Sequence, residues 1–185
     1  MRKLLIMLAA ASANQGMRRT SFRDRECPIA RAADILGHGW HLLVLRELLR
    51  GVRGYVDIQL RTAIPPRTLS RCFDELGAFG LVERRSRGEG ARRYDYLPTP
   101  AARALLPILV AMGMWANHWL VGAGEERMVF VNTEDECPVE QVLVDRRTGR
   151  PLDDLSLALR PGPRASDAFR ALLEQDREAL PGPPS

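Results

Sequence analysis

The stretch from Tyr55 to Leu97 constrains the fold of this chain more than any other. Its second helix opens on Pro65-Pro66. Proline fixes φ near the helical value and lacks the N–H that a first-turn residue leaves unpaired, so the pair predicts a helix start. Leu69, Phe73 and Leu76 follow at i, i+4 and i+7, one apolar stripe at helical period. Arg67 and Arg71 fall on a different face, with Thr68 and Ser70 beside them. Gly80 suits the left-handed residue that ends many helices. Leu81 to Arg85 then reads as a strand, Ser86 to Gly90 as a hairpin loop, and Arg93 to Leu97 as a strand of period two. Upstream, Tyr55 to about Leu60 reads as a shorter helix with Tyr55, Ile58 and Leu60 inward. The order helix, turn, helix, hairpin is that of a winged helix-turn-helix.

Such a second helix suits a DNA major groove. Arginine can read guanine edges there and hydroxyls can reach phosphates, so Arg67, Thr68, Ser70 and Arg71 are the candidate contacts. An ordinary amphipathic helix with a solvated arginine face would share this pattern. The wing shifts the balance, because Arg84, Arg85, Arg87, Arg92 and Arg93 crowd into ten residues directly after the helix. Arg87, Arg92 and Arg93 are expected to hold the adjacent DNA backbone or minor groove.

The charge distribution agrees. Arg18 to Leu120 carries 17 arginines against 10 carboxylates, whereas Val121 to the end carries 8 against 13. The positive charge thus coincides with the winged-helix region, as attraction to phosphate requires. Three well-separated cysteines, Cys27, Cys72 and Cys137, make no CxxC pair and suit a reducing compartment. Residues 1–16 resemble a secretory signal, with Arg2-Lys3, an apolar run and Ala11-Ser12-Ala13. Export conflicts with the DNA-reading segment, so a start at Met17, with residues 1–16 an overextended start, is the consistent reading. The segment is too short for a membrane span, and a cytoplasmic protein is expected.

Cys27-Pro28 opens a helix over about Ile29 to Leu36, which Gly37-His38-Gly39 breaks. Trp40 to Leu49 reads as a central buried helix, with Trp40, Leu43, Val44 and Leu48 on one face and Leu42, Leu45 and Leu49 adding a second. After the wing, Thr99 can cap a helix that begins at Pro100 and runs to about Leu120, with a break near Leu106 forced by Pro107. Its stripe of Leu105, Leu109, Met112, Trp115 and Trp119 is too wide for a small monomer to cover and reads as a homodimer interface.

The motifs CPIARAADILGHGWHLLVLRELLRGVRGYVDIQL, the recognition stretch, GLVERR and TPAARALLPILVAMGMWANHWL resemble, in order, the HxlR family of winged-helix transcriptional regulators over about residues 27 to 120. The chain departs from that family twice. Pro65 replaces a serine, which removes a side-chain cap, and Cys72 replaces an arginine, which removes one phosphate or salt-bridge contact. The resemblance also implies that Cys27 is a redox- or electrophile-sensing candidate. Its place before the first helix, near Arg23, Arg25 and Arg31, fits an activated thiol. Some relatives carry a zinc-ribbon-like tail with cysteines near Asp145 and Thr148. This chain has only Cys137 there, too few for a structural zinc site.

No phosphate-cradling glycine loop is present. His38 and His41, i and i+3 across a helix start, have possible metal spacing, but no nearby Cys, Asp or Glu completes a set, so no metal and no cofactor are expected. Asp74-Glu75 reads as a solvated face, and no enzyme is expected. The fold expected is α+β: a winged helix-turn-helix with a C-terminal dimerisation helix and a small β-rich tail. Residues 1–16 are the signal-like segment, 17–26 a flexible arm, and 27–122 the DNA-binding domain with dimer helix 100–120. Residues 123–160 are the tail, with strands over 127–132 and 139–144, and 161–185 a linker, short helix and disordered end. The function expected is sequence-specific double-stranded DNA binding as a homodimer, answering an unidentified small-molecule or redox effector, with no membrane partner. The alternatives are a winged-helix interaction module without specific DNA binding, and an exported protein.

Overall fold

The computed structural model describes residues 21–88, 93–121 and 124–179. The elements are α1 (Pro28–Leu36), α2 (Gly39–Leu49), α3 (Tyr55–Thr62), α4 (Pro66–Ala78), β1 (Val82–Ser86), β2 (Tyr94–Pro98), α5 (Pro100–Arg103), α6 (Leu106–Leu120), a 3-10 turn (Leu152–Asp154) and α7 (Asp167–Ala179). The segment 1–16 and residues 17–20 lie outside the described residues.

The core gathers around α2. Val44, Leu45 and Leu48 of α2 meet Ile58 of α3, Leu69, Cys72, Phe73 and Leu76 of α4, Leu81 and Val82 of the wing, and Ala102 of α5. The α4 stripe expected from the sequence is thus buried in full. Val44 and Leu48 of the first expected face of α2 and Leu45 of the second are covered, so the buried stripe runs between the two. His41, Val44, Leu45 and Leu48, at i, i+3, i+4 and i+7, are buried, while Trp40 remains 36% exposed. Glu47 is buried too, held by Arg46 (2.8 Å) and Arg50 (3.4 Å). Leu60 points outward at 77% exposure, because two residues past buried Ile58 lies on the opposite side of a helix.

Two helix ends set the site's geometry. Ala63 ends α3 in the left-handed region (φ 55°), its N–H bonded to the Gln59 carbonyl (2.8 Å). Gly80 ends α4 at φ 70°, and the Leu81 N–H reaches back to the Leu76 carbonyl (2.9 Å), the wrapped closure that turns the chain into β1. β1 and β2 pair antiparallel, Val82 with Pro98 through Ser86 with Tyr94. Tyr96 N–H donates to the Arg53 carbonyl (3.0 Å), and Gly54 bridges Asp95, so the wing is anchored to the start of α3.

Beyond β2, the Thr99 hydroxyl accepts from Ala102 N–H (3.3 Å) and donates to the Gly80 carbonyl (2.8 Å), capping α5 onto the end of α4. The expected break falls where Pro107 requires it: Ala104 and Leu105 separate α5 from α6. The tail lies along α6. Phe130 covers Gly113, where an added Cβ would sit 2.5 Å from the ring, and Gln141 donates to the Pro107 carbonyl (3.0 Å). The two strands expected in the tail are reduced to single bridges, Val131 with Pro138 and Val144 with Pro151. The cause is local: each bridge closes a tight turn. Asn132 and Asp145 each accept backbone N–H groups two residues on, and Glu136 (φ 55°) and Gly149 (φ 70°) take the left-handed corner. Arm and C-terminal helix also meet, for the Glu26 carboxylate accepts both the backbone N–H (2.9 Å) and the hydroxyl of Ser166. Ser21 and Phe22 are tied to Asp34 of α1.

Candidate nucleic-acid interface

The sequence places α3 and α4 across the Ala63 turn, and the aromatic residues fix their angle. Phe73 of α4 stacks on Tyr96 of β2 (3.6 Å between centroids), and Tyr55 of α3 lies 6.0 Å from Phe73. The Tyr55 hydroxyl donates to the Pro66 carbonyl (2.7 Å) and lies 3.1 Å from Ser70 Oγ. One residue of the first helix therefore orients the first turn of the second. Burial pushes the Tyr96 phenol above its ordinary range, with Arg84 partly offsetting. Sequence periodicity marked Tyr55 only as a core residue; its hydroxyl partners lie 11 and 15 residues away and left no local signal.

Pro65 leaves α4 without a side-chain cap, as its replacement of serine implied. The helix N-terminus thus presents unpaired positive dipole ends. Arg67, Ser70 and Arg71 are exposed and Thr68 is half-buried. Arg71 is 63% exposed and lies 3.5 Å from Glu75. Arg67 makes no ion pair among the described residues.

The wing arginines fall into two sets. Arg87 is held by Asp95 through Nε (2.7 Å) and Nη2 (2.6 Å), and Arg84 lies 4.3 Å over the Tyr94 ring. Both brace the hairpin. Arg93 and Arg85 are exposed. Arg92 lies outside the described residues. Between α3 and the wing is a cleft of about 490 Å³ lined by Gly54, Tyr55, Asp57, Arg87, Arg93 and Tyr94. Its floor carries both signs of charge.

The three cysteines differ in setting. Cys27 is the N-cap residue of α1, half-buried, at the edge of a 610 Å³ recess shared with Phe22, Ser166, Phe169 and Leu172. Cys137 is exposed. Cys72 is buried, and burial followed by the Glu75 charge pushes its thiol up to about 11 against a smaller opposing effect of Arg71. On α6, Met112 (46%), Trp115 (56%) and Trp119 (68%) are exposed, while Leu105 and Leu109 pack back on the core. The expected stripe therefore has two sides: one end clamps the domain and the other faces outward. No helix among the described residues is long and apolar enough to cross a membrane.

Residues 35–123 match the family described as HxlR-like helix-turn-helix. Bacillus subtilis YvaP, named as an uncharacterized HTH-type transcriptional regulator, is 35% identical over 98 residues, which are 51% of this chain and 89% of that one. A protein of Mycobacterium tuberculosis with the same description, MT3179, is 33% identical over 92 residues; these cover 50% of this chain and 58% of that protein, less than two thirds of its length. The crystal structure of PA1607, assigned there as a candidate transcription factor, superposes with a TM-score of 0.68 at 26% identity over 75% of this chain and 99% of that one.

Proposed function

This chain belongs to the HxlR-like helix-turn-helix family, and on that premise we propose that it is a sequence-specific, double-stranded DNA-binding transcriptional regulator acting as a homodimer. The observation that carries the reading is the uncapped, exposed cationic start of α4, set beside the arginine-bearing wing on a rigid aromatic cluster. Arg67 and Arg71 enter the major groove, Thr68 and Ser70 reach phosphate, and Arg93 with Arg92 follows the backbone. Arg87 has the shape-holding part through Asp95 and lends its charge to the same surface. Met112, Trp115 and Trp119 supply the apolar contact with the second copy, and Leu105 and Leu109 seat α6 behind them. Cys27, under α7, is the candidate sensor of a redox or small-molecule effector. The reading is non-enzymatic, and its compartment is the cytoplasm, where chromosomal DNA is met.

The test is fluorescence anisotropy with the DNA upstream of the protein's own gene, titrated with salt and against random DNA. A preference of about 10³ or more over random DNA, with a steep salt slope, is the expected result. Weak binding without preference would move the weight to a protein-interaction module. Arg71→Ala should cost about 1–3 kcal/mol on the specific site and less on random DNA. Equal losses on both would reduce Arg71 to a phosphate contact.

A further inference from the structure

The first turn of α2 and the middle of α4 bring together donors that are far apart in sequence. His38, His41 and Cys72 each present a ligand atom, all within 4.8 Å of one another. His41 and Cys72 are fully buried. The His41 ring is orientated by its surroundings: Nδ1 lies 2.7 Å from the Ile35 carbonyl, which can only accept, so Nδ1 carries the proton. In the neutral ring Nε2 is then a lone pair. It points at Glu75 Oε2, 2.8 Å away, which is also buried and likewise offers only lone pairs as a carboxylate. At 2.8 Å the two atoms are spaced for a hydrogen bond, and a metal ion between them would need them opened to roughly 3.5 Å.

We propose that this cluster is a binding site for a zinc-class divalent metal ion, with His38, His41 and Cys72 as ligands and Glu75 as the fourth donor. Two imidazoles, a thiolate and a carboxylate are a donor set that zinc accepts in tetrahedral geometry. A carbonyl holding Nδ1–H so that Nε2 meets the metal is the usual support for such a histidine. One thiolate and one carboxylate balance the two charges of the ion, with Arg71 3.5 Å from the other Glu75 oxygen on the exposed side. Tetrahedral bonds of 2.0–2.3 Å set ligand atoms roughly 3.5 Å apart, so shifts of about 1 Å close the His38, His41 and Cys72 set, and Glu75 joins it through its contact with His41. The sequence spacing showed only the His38 and His41 half of the cluster, because Cys72 and Glu75 come from α4, more than 30 residues later. A filled site would pin α4 to α2 from behind the exposed face.

The test uses the full chain carrying Cys27→Ser and Cys137→Ser, so that Cys72 is the only thiol, after chelator treatment. Cobalt(II) is added and followed by absorption. One equivalent should bind, with a thiolate-to-cobalt charge-transfer band in the near ultraviolet and tetrahedral d–d bands in the visible. Zinc should displace it and raise Tm in step with its concentration. Cys72→Ser should abolish the charge-transfer band. His38→Asn, at the half-buried N-cap of α2, should weaken cobalt binding by about 100-fold or more while the circular dichroism spectrum and metal-free Tm show that the variant is folded. No charge-transfer band, or a band and affinity unchanged in His38→Asn, would overturn the site and leave His41 and Glu75 sharing a proton.

Discussion

Ala63→Gly should stabilise this protein. Ala63 holds the turn between α3 and α4 at φ 55°, a conformation that costs a residue with a Cβ about 1–2 kcal/mol. The rest of the turn does not depend on the methyl group, which is exposed. The Ala63 N–H bonds Gln59, and Thr62 bonds the Ile58 carbonyl (2.7 Å). Glycine removes the steric cost but adds freedom to the unfolded chain, worth about 0.5–1 kcal/mol in the opposite direction. The net gain should be about 0.5–1 kcal/mol, or a Tm increase of about 1–4 °C. Thermal unfolding by circular dichroism would read it, with a urea midpoint that rises at constant m value. Ala63→Val, whose β-branch tolerates φ > 0 least, should lower Tm. If glycine leaves Tm unchanged or lowers it, the turn is not strained and the left-handed argument fails.

Three other outcomes follow from the charges and packing. The Cys72 thiol is raised to about 11 from an ordinary 9.0, so the unfolded chain loses its proton first. With chelator present, stability should therefore be full below pH 9 and fall between pH 9 and 11, and this fall should vanish in Cys72→Ala; an equal slope in both proteins would refute the buried-thiol account. Ser166 holds the Glu26 carboxyl below its ordinary 4.5, so this contact stabilises above that value and is lost as pH falls through the lower one. Ser166→Ala should make α7 protease-sensitive at neutral pH, as acid does for the native chain, and an α7 equally protected in both would show that the contact is dispensable. Gly113→Val should displace Phe130 and expose the tail to proteolysis while leaving the winged-helix core folded.

The parts of the fold legible in the sequence were those set by local rules. The α4 stripe, the Gly80 closure, the Thr99 cap and the Pro107 break each depend on residues within a few positions of one another. Errors arose where a face had to be chosen. Trp40 and Leu60 are large and apolar, yet the buried stripe of α2 runs through His41 instead, because the partner helices decide which side is covered. The candidate site divides the same way. Arginine crowding in the wing could be read directly, but which arginines brace the hairpin depends on register. Asp95 opposite Arg85 captures Arg87, and Tyr94 opposite Ser86 receives Arg84. In the His38, His41 and Cys72 cluster the histidine spacing was visible, but Cys72 is brought to it by tertiary packing.

The two-residue joint between α5 and α6 has a mechanical consequence. Ala102 pins α5 in the core at 0% exposure, whereas α6 has no fully buried residue. With 15 residues, α6 is an arm about 22 Å long. A swing of about 10° at Ala104 and Leu105 carries its far end roughly 4 Å, close to the ~3.4 Å rise of one base pair. In a dimer seated on α6, the distance between the two reading heads is then geared to the angle of one joint. Mutational drift at that joint would retune operator spacing by whole base pairs while every residue facing the DNA stayed the same.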